Sequence, residues 1–254
     1  MSVSEVYQNE LRKILRKRLR GAMQPTENVL YFKNNIDVRI CPKNGMSTLK
    51  WALMYVDDVD MNGNDPLSLI YGTKRHRMME IKKHGYTPEL PFRKDSTRVC
   101  VSRDPLKRFL SACEYIKTEY VRVNEVIDLE KAEPLTSDEM SKLQNMSDVD
   151  ILPESLDDII DGVWSGDIHN THFYTQTHYY GNRSQYDAIW KMSDFDAFLN
   201  WLRVTTKTPK KIDRIRSNST SGLYFGGVES LTKDQKKRIM RIYQEDYDYG
   251  WTED

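Results

Sequence analysis

Hydrophobic and polar positions along the chain predict short strands that are each followed by an amphipathic helix. The first apolar run, Val38, Ile40 and Cys41, is typical of the end of a buried strand. Pro42 ends this run, and Gly45 permits a tight turn after it. The next apolar positions recur at helical spacing and predict a helix with one face toward the core: Leu49, Ala52, Leu53 and Val56.

The same pattern returns further along the chain. Residues 98–102 form a second short apolar strand, and a helix is expected from Pro105 because proline is favoured at the first helical position. Residues 186–190 predict a third strand, which another helix follows. Strands that alternate with helices indicate an α/β fold, here a three-layer sandwich with a central parallel sheet. We expect a single domain over residues 1–254.

Four other segments carry predictions of their own. Residues 28–32 read as an edge strand that precedes the first turn, and residues 169–180 read as a loop because they lack an apolar period. A helix over 156–164 is expected to end at Gly166, and a last helix is predicted over 232–243.

The first turn from strand to helix has the chemistry of an anion-binding site. Backbone N–H groups at a helix N-terminus lack partners within the helix, and together with the helix dipole they favour phosphate or sulfate. Ser47 or Thr48 can cap the helix, and Lys43 adds a positive charge inside the turn. The Walker arrangement is different, because there the lysine follows the last glycine, whereas Lys43 precedes Gly45 by two residues.

The second turn, over residues 101–111, adds arginine and hydroxyl groups. Arg103 follows the strand, and Ser111 lies eight residues later on the predicted helix. Arginine offers a planar fork of donors that matches phosphate oxygens, and serine adds a hydroxyl. In parallel sheets, ligands bind at the carboxyl ends of the strands, where both turns are expected.

These two motifs resemble the nucleotide-binding segments of sulfotransferases that use 3′-phosphoadenosine 5′-phosphosulfate (PAPS). Residues 42–49, Pro-Lys-x-Gly-x-Ser-Thr-Leu, resemble the 5′-phosphosulfate-binding loop, and residues 101–111 resemble the 3′-phosphate-binding segment. Three later segments look like the second half of the carbohydrate sulfotransferases of Golgi type: residues 170–176, 186–191 and 231–247. The resemblance spans roughly residues 36–250.

The resemblance implies a P-loop-like fold in which the sulfuryl group of PAPS moves in line to an acceptor hydroxyl, leaving 3′-phosphoadenosine 5′-phosphate (PAP). It implies no metal, and an acceptor that is a saccharide or glycan. Lys43 is expected to act in catalysis by stabilising charge on the transferred group. The residues implied in cofactor binding are Lys43, Asn44, Gly45, Met46, Ser47, Thr48, Arg103, Ser111 and Arg216.

Transfer to a hydroxyl also needs a general base. In the resembling family the base is a histidine or glutamate between the two phosphate motifs, which implies His84, with Glu80 and Glu89 as alternatives. His172 and Gln176 match a family segment that lines the acceptor side of the cleft.

The chain has 38 basic and 38 acidic residues, so its formal charges balance, but they are unevenly distributed over three segments. Residues 1–27 contain a basic helix, 124–161 form an acidic insertion, and 205–222 predict a mobile basic loop that is polar and breaker-rich. The resemblance to sulfotransferases implies that Arg214 and Arg216 of this loop close over the nucleotide, as the family's late loop does. The three cysteines lack CxxC spacing, and no apolar run is long enough to span a membrane. We therefore expect a soluble, cytoplasmic protein with no nucleic-acid partner, and leave its oligomeric state open.

Two other functions remain as alternatives. A small-molecule kinase would also bind a nucleotide, but the position of Lys43 and the lack of acidic metal ligands after a strand argue against it. A catalytically inactive nucleotide- or nucleic-acid-binding protein could keep the same fold and use the basic N-terminal helix.

Overall fold

The computed structural model describes residues 28–56, 86–88, 92–126, 155–168, 170–209, 211–212, 214 and 224–252. Several sequence predictions therefore lie outside the described residues: the helix within 1–27, most of the acidic insertion, His84, Glu80, Glu89, Arg216 and most of the loop 205–222. The chain divides into two compact units, one of Met1–Gln24, Phe109–Phe173 and Ser219–Ile242, the other of Pro25–Arg108, Tyr174–Asn218 and Tyr243–Asp254. The expected single domain stays a prediction.

In the described residues of the second unit, five strands form one sheet. Its strands are β1(Asn28–Phe32), β2(Ile36–Ile40), β3(Tyr86–Pro88), β4(Thr97–Ser102) and β5(Ala188–Lys191), in the spatial order β3-β1-β2-β4-β5. The α/β prediction is confirmed. The sheet is mixed, however, because only β2, β4 and β5 run parallel, whereas β1 pairs antiparallel with both β2 and β3. The prediction that β1 lies at the edge is wrong, since β3 pairs outside it.

The antiparallel pair has a local cause. Asn34 and Asn35, between β1 and β2, both have left-handed backbones with φ of 58° and 56°. Asparagine tolerates this conformation better than most residues, and such turns match the twist of a hairpin. The short connection therefore returns the chain beside β1 instead of carrying it across the sheet.

The described helices are α1(Met46–Val56), α2(Pro105–Val126), α3(Leu156–Ser165), α4(Gln176–Tyr180), α5(Phe195–Thr205), α6(Lys233–Ile242) and α7(Gln244–Asp248). On one face of the sheet, Val99 and Val101 join a core with buried residues of α1 and α5. Cys100 points to the opposite face, where it packs with Tyr180 of α4 and Trp251. This alternation along β4 places apolar layers on both faces of the sheet.

The first unit is helical where it is described. Ser155 caps α3, and Gly166, with φ of 82°, ends it, as the sequence predicted. Arg238 of α6 donates to Asp157 of α3 at 2.6 Å and also contacts Asp161. Within the described part of the chain, no helix is long and apolar enough to cross a membrane.

Candidate functional site

Two left-handed residues shape the turn after β2. Lys43 has φ of 69° and Gly45 has φ of 76°, and the N–H of Asn44 between them donates to the carbonyl of Cys41 at 3.2 Å. Successive N–H groups around a left-handed residue form a concavity that suits an anion. A non-glycine residue held left-handed costs about 1–2 kcal/mol. The strain at Lys43 therefore lies in the turn for which the sequence predicts anion binding.

Helix α1 begins directly after this turn. Met46 is its first residue, so Ser47 and Thr48 lie inside the first helical turn and not before it, as capping would require. The first turn of α1 contains no acidic residue. A helix N-terminus without a carboxylate in its first turn favours an anion from outside the chain.

Gly45 is needed for space as well as for backbone conformation. A Cβ at this position would lie 2.5 Å from Cζ of Phe195, the first residue of α5. The guanidinium of Arg214 also lies over the ring of Phe195, 5.4 Å from its centroid. Arg214 thus lies near the first turn, and its expected closure over the nucleotide stays a prediction.

The second turn supplies two arginines that contact the first. Nη1 of Arg103 donates to the carbonyl of Lys43 at 2.8 Å, and Nε of Arg108 donates to the carbonyl of Pro42 at 3.2 Å. Two consecutive carbonyl groups of the first turn therefore accept hydrogen bonds from arginines of the second turn. The structure brings Lys43 and Arg103 together, as the two motifs predicted.

The role of Arg108 was missed by sequence reasoning. Its side chain is fully buried, and its Nη1 and Nη2 atoms have no hydrogen-bond partner among the described residues. Burial disfavours the charged form, but the nearby Cys41, Tyr243 and Asp246 raise the pKa of Arg108 above its usual value. The only signal in the sequence was that Arg108 and Ser111 share a helical face.

Asp246, near the C-terminus, is the carboxylate of this buried region. It accepts the backbone N–H of Gln176 at 2.9 Å and that of Thr177 at 2.7 Å. Burial raises the pKa of Asp246, while the charge of Arg108 and these hydrogen bonds lower it. Asp246 thereby satisfies the N-terminus of α4.

The predicted loop over 169–180 is wrong in part, because it contains α4 and a short 3₁₀ helix, Thr171–Phe173. A five-residue helix is too short to show an amphipathic period. The local signal was Thr175, whose hydroxyl accepts from the N–H of His178.

Gln176 begins α4 and is fully buried. Its amide contacts the side chain of Asn44 at 2.7 Å and the backbone N–H of Arg103 at 2.9 Å. The expected contact of Gln176 with an acceptor stays a prediction. The observed contacts place this side chain between the two turns.

His172 belongs to the first unit. Its backbone N–H and its Nδ1 both contact Oδ1 of Asn170, at 2.9 and 2.7 Å, and its ring lies 4.4 Å from that of Tyr115 on α2. Because an amide oxygen only accepts, Nδ1 is the donor in this contact. Ser111 lies one turn before Tyr115 on the same helix.

Glu114 of α2 is a second buried carboxylate that sequence reasoning missed. It accepts the N–H groups of Tyr224 and Phe225, at 3.0 and 2.7 Å for the shorter contacts. Tyr224 lies two residues after the end of the predicted loop 205–222, so Glu114 holds the chain shortly after that loop. Among the described residues, no group of His, Cys, Asp and Glu side chains could hold a metal ion.

Comparison with known proteins gives one match. A family model described as "Sulfotransferase family" matches residues 32–249. No curated protein and no solved structure matches the chain.

Proposed function

The chain belongs to the sulfotransferase family, and on that premise we propose that it transfers the sulfuryl group of PAPS to an acceptor hydroxyl. When bound, PAPS supplies an activated sulfuryl group and a nucleotide leaving group. The observation that carries the proposal is the loop after β2. There, left-handed Lys43 and Gly45 lead into helix α1, whose N-terminal residues include no carboxylate. This chemistry fits the 5′-phosphosulfate.

The proposal gives each turn a different task. Lys43 and the backbone from Asn44 to Thr48 stabilise charge on the sulfuryl group and the leaving phosphate. Arg103 and Ser111 bind the 3′-phosphate. Arg214 and Arg216 close over the nucleotide.

The acceptor is proposed to be a saccharide hydroxyl, on the likeness of the later segments to the carbohydrate sulfotransferases. His84 is the proposed general base. His172 and Gln176 are proposed to line the acceptor side, on the likeness of residues 170–176 to the carbohydrate sulfotransferases.

Calorimetric titration with PAP, ADP and AMP tests the cofactor. We expect PAP to bind at micromolar concentration and at least ten times more tightly than ADP, because only PAP carries the 3′-phosphate. A preference for ADP would favour the kinase alternative, and no binding of any nucleotide would reject the proposal. Transfer of labelled sulfate from PAPS to a panel of saccharides then separates an enzyme from an inactive binding protein.

Lys43→Ala tests the first turn directly. We expect at least a tenfold loss of PAP affinity, because a charge-assisted contact to the 5′-phosphate disappears. Lys237→Ala removes an exposed lysine on α6 and is the matched control. Equal affinities for the two variants would place the 5′-phosphate elsewhere.

A further inference from the structure

Gln176 uses every hydrogen-bonding position of its amide. Oε1 accepts from Nδ2 of Asn44 at 2.7 Å and from the N–H of Arg103 at 2.9 Å. Nε2 donates to the carbonyl of Arg103 at 2.8 Å and to the carbonyl of Trp251 at 3.0 Å. A neutral amide has two acceptor positions and two donor hydrogens, so this side chain is saturated. The backbone partners, an N–H on one side and two carbonyls on the other, also fix which amide atom is oxygen.

The four contacts close a ring through both turns. Asn44 is the central residue of the first turn, and its Nδ2 also donates to the carbonyl of Val101 in β4 at 2.8 Å. Arg103 is held by Gln176 at both its N–H and its carbonyl, and its guanidinium reaches back to the carbonyl of Lys43. Each turn is therefore bonded to the other by side chains in both directions.

Gln176 is itself held in place. Its backbone N–H donates to Asp246, and its side chain is fully buried. A side chain that is buried, saturated and anchored at its backbone has little freedom to adjust. It can therefore transmit a displacement of one turn to the other.

We propose that Gln176 is a positioning residue that sets the spacing between the site for the 5′-phosphosulfate and the site for the 3′-phosphate. This inference rests on the proposed function. It predicts that the bridge matters most for a ligand that occupies both turns at once. A ligand with one phosphate needs only one turn to be in place, whereas the bisphosphate needs both turns at the correct separation.

Calorimetry with three ligands tests this role: PAP, adenosine 5′-phosphate and adenosine 3′-phosphate. In Gln176→Met, which removes all four hydrogen bonds at similar volume, we expect each monophosphate to lose about 3-fold in affinity. PAP should lose at least 30-fold, which exceeds the roughly 9-fold product of the two separate losses expected for independent sites.

Two other results would overturn the proposal. A general loss of folded protein would weaken all three ligands by the same factor, and independent turns would give a loss for PAP no larger than the product of the monophosphate losses. If wild-type protein does not prefer PAP to ADP, the proposed function itself has failed, and that outcome is visible before any variant is made.

Two further variants keep the test decisive. Gln176→Glu retains the acceptor oxygen but loses both donated hydrogen bonds. The loss of PAP affinity beyond the product of the monophosphate losses should therefore lie between those of wild type and Gln176→Met. An excess as large as in Gln176→Met would contradict a role for the two accepted bonds. Gln185→Met is the matched control, because Gln185 donates to the carbonyl of Tyr180 and contacts neither turn in the described contacts. It should change all three affinities by less than about 2-fold, and an excess loss for PAP in this control would also count against Gln176.

Discussion

The two strand-to-helix turns lie at the carboxyl ends of neighbouring parallel strands, yet they are built differently. The turn after β2 uses two left-handed residues, Lys43 and Gly45, and leads into a helix whose first turn has no acidic residue. The turn after β4 passes directly through Arg103 and Asp104 into α2. There Asp104 accepts the N–H of Lys107 at 2.9 Å and caps the helix.

The difference indicates that the two turns at the carboxyl ends of β2 and β4 have different roles. The first turn presents backbone N–H groups and an N-terminus that favours an external anion. The second turn has a carboxylate of its own chain at the corresponding place, so its contribution comes from arginine side chains. Arg103 and Arg108 reach across to the carbonyls of the first turn. We therefore infer that the first turn contributes mainly backbone groups to the proposed 5′-phosphosulfate site, whereas the second turn contributes side chains, which support the first turn and are proposed to bind the 3′-phosphate.

The largest effect is expected from Gly45→Ala, which attacks the backbone of the first turn. A Cβ at 2.5 Å from Phe195 adds overpacking to the left-handed strain. Together these should lower the free energy of unfolding by about 3 kcal/mol. The melting temperature should fall by roughly 6–12 °C for a domain of this size.

Gly166→Ala is the matched control for that experiment. Gly166 is also left-handed, with φ of 82°, but a Cβ there would have nothing within 4 Å. Only the backbone strain remains, so the loss should be about 1–2 kcal/mol. If both variants lose the same amount, the contact with Phe195 has no energetic weight.

Arg108→Met tests the support from the second turn and should have the next largest effect. It removes a charged hydrogen bond to the carbonyl of Pro42 and should lower the free energy of unfolding by about 2 kcal/mol. The buried Asp246 also loses a compensating charge. Urea unfolding of Arg108→Met, Asp246→Asn and the double variant should reveal a coupling of about 1 kcal/mol. Simple additivity would mean that the two buried charges do not interact.

Asp104→Ala tests the cap that distinguishes the second turn. Loss of an N-cap should lower the free energy of unfolding by about 1 kcal/mol. PAP affinity should not decrease, because the variant removes negative charge beside the proposed anion site. Asp196→Ala, in the first turn of α5 and exposed, is the control and should stay within about 0.5 kcal/mol of wild type. Weaker PAP binding in Asp104→Ala would instead make this carboxylate part of the binding site.

The smallest expected effect is a dependence of the free energy of unfolding on pH through Asp246, because opposing influences act on the pKa of this carboxyl group. Burial raises its pKa above the ordinary value of 3.8, and Arg108 and hydrogen bonds lower it in part. The folded protein thus holds this proton more tightly than the unfolded chain. The resulting stability is fully present below pH 3.8 and is lost as pH rises through the folded pKa.

Asp246→Asn cannot titrate, so it provides the reference for that measurement. The difference in free energy of unfolding between wild type and Asp246→Asn should decrease as pH rises from 3.8. Urea unfolding at a series of pH values measures it. A difference that grows with pH would show that Arg108 outweighs burial and lowers the pKa.

The sequence by itself determined the local features of this protein. Pro42 and Gly45 placed the first turn, Pro105 placed the start of α2, and Gly166 the end of α3. These signals succeed because they concern the backbone of a few neighbouring residues. The α/β alternation and the likeness to sulfotransferases also follow from motifs that are short and continuous.

Only the tertiary structure decided how the two turns are joined. Gln176 meets Asn44 across 132 residues and Arg103 across 73 residues. The burial of Arg108 and the pairing of β3 outside β1 are likewise contacts between distant segments. Side-chain spacing is informative only within a helix or strand, so it cannot show which distant amide or arginine fills a position. That choice depends on satisfying buried polar groups in three dimensions.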